Sequence, residues 1–241
     1  MTPLIPYYAA PIVIIADLAA LAVVAVLFQG RMRWAVGGAL GIWFVLAWLA
    51  APHTPGADLN AIPLSFPLFA AGPILVALIA LARSPAFRQG LNAISAPTLI
   101  SIQIYRNIGV LFLALYSIGS LPAHFALPAA YGDIFVGLTA PLVALAVSKR
   151  IRGARPLAIG WNIVGLLDLV VAVGLGTGLL APLLAPGLGA HVPPARAMTF
   201  FPMVLVPTFA VPLAVLLHLA ALRAVLRRRA AGWIEKDLGL K

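Results

Sequence analysis

The chain contains no cysteine, which excludes disulfides, thiolate metal sites and iron–sulfur ligation. Charge is scarce too. Only 9% of the 241 residues are charged while 63% are hydrophobic, whereas a soluble domain carries about a quarter charged residues. No polar stretch is long enough to fold as a separate soluble unit, so residues 1–241 are read as one domain embedded in lipid. Acid is scarcest of all, with six Asp and Glu against 16 Lys and Arg. The net charge of +10 could suit a nucleic acid, but the bases fall between apolar runs, as a topology signal does. No nucleic-acid partner is expected. There is no HExxH, no DxxD and no clustered carboxylate–histidine spacing. No catalytic residue, metal ligand or cofactor is therefore assigned. The first 28 residues lack a basic start and carry Asp17 in mid-run, so they read as a retained span rather than a cleaved leader.

What is abundant is apolar sequence in lengths of about 20 residues, enough to cross a hydrocarbon core. Such runs fall at about 9–29, 34–52, 63–83, 98–121, 131–148, 156–180 and 198–222. The expected fold is all-α, a polytopic bundle of seven transmembrane helices. Fourteen of the 16 bases follow odd-numbered spans: Arg31, Arg33, Arg83, Arg88, Lys149, Arg150, Arg152, Arg155, Arg223, Arg227, Arg228, Arg229, Lys236 and Lys241. Of the other two, Arg196 lies on the opposite side and Arg106 inside a span. By the positive-inside rule the amino terminus is outside and the carboxyl terminus cytoplasmic. A bacterial inner membrane is the expected location. Residues 84–96 place Phe87, Leu91 and Ile94 on one face and Arg88, Gln89 and Asn92 on the other, as in an interfacial helix. That helix and the basic tail 223–241 are expected to meet anionic lipid headgroups.

The fourth span carries Gln103, Tyr105, Arg106 and Asn107 near its start. A charged residue at this depth faces protein or water and needs a partner. At 1.5 Å per residue, Arg106 lies roughly 12 Å inside the cytoplasmic boundary, and Asp168 and Asp17 roughly 18 Å. The proposed centre is therefore Arg106 paired with Asp168, Asp17 or both, with Asn107 and Asn162 completing the hydrogen bonds and Tyr105 and Trp161 lining the site. Asp133, read as opening span five, is expected either to cap that helix or to form an external mouth with His124. Pro202, Pro207 and Pro212 in span seven free carbonyls and are hinge candidates. His218 is read as a packing residue about one turn inside the membrane. The other histidines fall on the opposite side, which excludes a bis-histidine haem. Gly37 and Gly41 in span two, and Gly174, Gly176 and Gly178 in span six, suggest close helix approach.

A seven-span, amino-terminus-out layout resembles two known architectures. Retinal proteins need a lysine in the last span, and 198–222 has none. Small sugar transporters of the three-plus-one-plus-three kind are built from two parallel repeats, and spans one to three show no self-similarity to spans five to seven. Three functional classes remain. The first is a transporter or proton-coupled permease for a small solute, centred on Arg106, Asp168 and Asp17. In the second, a non-catalytic subunit or sensor binds a lipid or partner membrane protein, and its charges form a structural lock. The third, a lipid-acting intramembrane enzyme, lacks any supporting motif. Oligomeric state is not legible.

Overall fold

The computed structural model describes residues 4–51, 65–180, 183 and 195–227. Within them every regular element is helical and there is no strand. The order is α1 (Ala9–Leu27), α2 (Arg31–Ala50), α3 (Ser65–Arg83), α4 (Pro85–Ala93), α5 (Ala96–Ser101), a 3-10 segment (Ile102–Gly109), α6 (Val110–Ser117), α7 (Ala123–Ser148) and α8 (Ala154–Gly176). A 3-10 turn (Arg196–Thr199), a π segment (Val206–Ala210) and α9 (Val211–Arg227) follow. Among the described residues six segments are long and apolar enough to cross a membrane: α1, α2, 96–117, α7, α8 and 206–227. The protein is thus built as a multi-pass integral membrane protein. A seventh crossing arises only if α3 and α4, bent by 102° from one another, are counted together. Most of the loops 52–62 and 181–197, with His53, Asp58 and His191, lies outside the described residues, as does the tail from 228.

Serines start the short helices. Ser84 accepts the Phe87 amide at 3.1 Å and Ser95 that of Thr98 at 3.3 Å, each with a proline in the first turn, which is the usual chemistry of a helix start. Arginines finish the long ones. Arg33 donates to the Phe28 and Val26 carbonyls at the end of α1, and Arg88 to Leu81 and Ala82 at the end of α3. These carbonyls have no intrahelical donor, and the helix dipole favours a cation beside them. Arg33 and Arg88 are therefore local helix caps.

Two expected boundaries are corrected. Span five does not begin at 131: α7 begins at Ala123. Pro122, in extended conformation, sits just before it, and Pro128 is accommodated within. The prolines that suggest a loop thus frame the start of a helix. Span seven does not run 198–222. Its helix spans 206–227, and Pro202 falls in the turns before it, while Pro207 and Pro212 lie inside. Pro212 has no N–H for the Thr208 carbonyl. Trp43 Nε1 from α2 donates to that carbonyl instead, at 3.0 Å.

The spans divide into inner and outer members. Of the apolar 18-residue stretch in each span, 56% is buried in 96–117 and 50% in 206–227, but only 22% in α1 and in α2. α7 turns Ala129, Ala130, Val136, Gly137, Ala140 and Ala144 inward, small residues that let helices approach closely where lipid offers no hydrophobic drive. Its opposite stripe, Phe135, Leu138, Leu142 and Leu145, is exposed, as a lipid-facing surface must be.

Candidate functional site

The central feature is the run of 3-10 helix inside the third of these spans. It is eight residues long, twice the usual run of about four. Side chains three apart eclipse one another in this geometry, so Gln103, Arg106 and Gly109 share one stripe, and all three are buried. The 3-10 segment packs chiefly on α7. A Cβ on Gly109 would stand 2.6 Å from Asp133 Cβ, and one on Gly137 would stand 2.8 Å from Asn107. Glycine at both positions permits the approach.

Arg106 is 2% exposed and sits between Asp133 of α7 and Asp168 of α8. Its Nε donates to Asp133 Oδ1 at 2.7 Å, and Nη2 reaches the same oxygen at 2.6 Å. Nη2 also pairs with Asp168 Oδ2. Nη1 contacts the Gly165 carbonyl at 3.4 Å and His218 Nε2 at 3.3 Å. Four of these contacts are hydrogen bonds and the Nη2–Asp133 approach is an ion pair only, so four of the guanidinium's five N–H donors are engaged. The carboxylates are not used up: each aspartate side chain is 13% exposed. Gly132 makes room for Asp168, since a Cβ there would fall inside its carboxylate.

His218 extends the network. Arg106 can only donate, so His218 Nε2 accepts and the ring hydrogen lies on Nδ1. Nδ1 donates to Asn162 Oδ1 at 2.9 Å, while Asn162 Nδ2 donates to the Ala158 carbonyl at 2.7 Å. Every member of this chain has its direction fixed by the arginine. Trp161 stands beside the ring, centroids 5.3 Å apart, and donates to Thr139 on α7 at 2.8 Å. Gly165 lets the imidazole lie against α8.

The expected centre is thus brought together in part. Arg106 meets Asp168, and Asn162 joins through His218. Asp17 does not pair with Arg106: it is fully buried in α1, and neither carboxylate oxygen has a hydrogen-bond partner among the described residues. Asp133 takes the place expected of Asp17. It is no helix cap, because α7 begins ten residues earlier, about 15 Å along the axis. For the same reason it forms no mouth with His124, which lies in the first turn of α7. Gln103 donates to the Ala214 carbonyl at 3.0 Å, and its own Oε1 is buried and unpaired. The Tyr105 hydroxyl donates to the Ala210 carbonyl at 2.6 Å, and Asn107 donates within its own turn to Ile104. Both Gln103 and Tyr105 therefore tie the 3-10 segment to the proline-bearing last span. Of the suggested close-approach glycines, Gly37 would meet Ala25 and Gly176 Phe125, whereas nothing lies near Gly41. Among the described residues no three His, Asp or Glu side chains converge as metal ligands would.

Residues 63–226 match the family described as a domain of unknown function, DUF8737, and the chain belongs to that family. The matched stretch contains Arg106, Asp133, Asn162, Asp168 and His218, and excludes α1 and α2 with Asp17 and Trp43. No curated protein and no solved structure matches the chain.

Proposed function

We propose that this protein is a seven-span carrier, a proton-coupled permease for a small cationic or protonatable solute, with its amino terminus outside and the basic helix ends in the cytoplasm. One observation carries the reading: two carboxylates flank one arginine, and with both ionised the group has one negative charge in excess. Intramembrane acids of this kind mark ion and proton pathways. Arg106 is the fixed counter-charge, since it is 2% exposed and hydrogen-bonded to three helices. Asp133 and Asp168 are the exchanging groups, because each keeps acceptor capacity and partial exposure. Asp17, on a helix packed against the 3-10 segment, is the next acceptor on the path. The π segment and Pro207 give the last span a place to flex.

The test is proton flux into proteoliposomes carrying an internal pH dye, screened against small amines and other polar solutes. Asp168→Asn keeps an acceptor oxygen for Arg106 and makes the group neutral. It is therefore expected to fold with a melting temperature near that of the parent while losing flux. A second reading is favoured by the arginine's hydrogen bonds to three helices: the group is a lock that fixes α5–α6, α7 and α8 in place. On that reading the parent moves neither protons nor solute, and Asp168→Asn melts markedly lower.

A further inference from the structure

At the basic end of the bundle, a cavity of about 280 Å³ whose lining does not include Arg106 opens where the α4–α5 junction meets the end of α9. Asn92 and Ser95 line one wall, with Arg223 and Arg227 opposite. Leu91, Ile94, Ala220 and Ala224 form its apolar part. The α9 residues stand at i, i+3, i+4 and i+7, which is one helical stripe. Two arginines thus point along a face whose intervening residues are alanines, and the space a larger side chain would fill stays open. Among the described residues no acid lines the cavity. Arg223 Nε is buried and has no acceptor among the described residues. A buried donor without a partner is costly, and the Ser95 hydroxyl is already engaged with Thr98.

We propose that this cavity binds a phosphate group, held by Arg223 and Arg227 with Asn92 as a further donor. Guanidinium matches phosphate geometry, two N–H groups to two oxygens, and such charge-assisted bonds are stronger than neutral ones. An anionic lipid headgroup is the source that suits the apolar floor. A small soluble phosphate carries the same chemistry.

The experiment is a thermal-shift titration of the purified full-length protein in neutral detergent. The probes are phosphatidylglycerol, phosphatidylcholine, and inorganic phosphate against chloride at matched ionic strength. Phosphatidylglycerol or inorganic phosphate is expected to stabilise the parent saturably, and phosphatidylcholine is not. Losing both guanidinium contacts in Arg223→Gln/Arg227→Gln should weaken that binding by about tenfold or more. Lys149→Gln/Arg152→Gln removes the same charge from the exposed α7–α8 connection, and should weaken it by less than about twofold. Ala224→Leu keeps every charge but fills the cavity, and should weaken binding as the arginine pair does. Saturation by the lipid alone assigns a headgroup, and saturation by inorganic phosphate assigns a soluble ligand. The proposal is overturned if the two double variants weaken binding equally, if Ala224→Leu binds like the parent, or if neither phosphate source stabilises the protein.

Discussion

Arg106 and Asp17 are both buried in this bundle and are treated in opposite ways. Arg106 makes four hydrogen bonds, to acceptors on α7, α8 and α9. Asp17, equally buried, has none among the described residues for either oxygen. The arginine is over-determined by the packing around it, including glycines at 109, 132 and 165, where a Cβ would clash with Asp133, Asp168 and His218. The aspartate is tolerated by the packing rather than required by it. A charge built into a structure and a charge merely housed by it should answer differently to mutation.

The largest effect is expected at Arg106 itself. Arg106→Ala leaves two carboxylates side by side without a counter-charge, and removing one partner from a buried ionic group costs about 3–5 kcal/mol. Melting in detergent, or yield of folded protein where melting is out of reach, is the measurement. Adding Asp133→Asn and Asp168→Asn to Arg106→Ala removes the repulsion and should recover part of the loss. If the triple variant is no more stable than Arg106→Ala, the three residues are not energetically one group.

Next in size is Gly132→Ala. The added methyl would occupy the Asp168 carboxylate's position, so the side chain must swing away or α7 and α8 must part. Overpacking of this kind costs about 1–3 kcal/mol. The informative control is Gly41→Ala, where nothing lies within 4 Å and replacing glycine in a helix gains about 0.5–1 kcal/mol. Equal effects at the two positions would mean that the α7–α8 approach is looser than the geometry requires.

The comparison also shows what could be read from sequence. The apolar runs and the placement of the bases reveal the helical membrane fold, because length and charge asymmetry are properties of single segments. Arg106 and Asp168 stand out for the same reason: a charge inside such a run is conspicuous alone. Asp133 and His218 were hidden by helix ends. With span five started at 131, Asp133 looks like a surface cap; with the start at Ala123 it sits mid-helix. With span seven ended at 222, His218 lies one turn from the surface, yet α9 runs to Arg227 and places it about 14 Å in, level with Arg106. The arginines of ALRAVLRRR mark the membrane edge less sharply than they appear to, since long basic side chains reach outward from within a helix. Asp17 fails for a different reason. Depth along a helix says nothing about which face a residue presents, and α1 carries no periodic pattern from which to read it. The 3-10 segment was equally silent, although its i, i+3, i+6 stripe of Gln103, Arg106 and Gly109 is visible once that period is tried.

The smallest effect on stability, and the sharpest test of the contrast, belongs to Asp17. Asp17→Leu replaces a buried group that has no hydrogen bond with an apolar one of similar length. Removing an unsatisfied polar group from an apolar site is neutral or stabilising, so the melting temperature should match or exceed the parent's. Asp17→Asn should likewise lie within about 1 kcal/mol, because no contact is lost. Proton flux is expected to separate the roles, since both substitutions remove the acid that the proposed path runs through while leaving the Arg106 group whole. A variant as stable as the parent but without flux makes Asp17 a functional residue held at the expense of packing. A loss of stability above about 2 kcal/mol would instead show that Asp17 has a partner of the kind Arg106 has, and the two sites would then differ in location only.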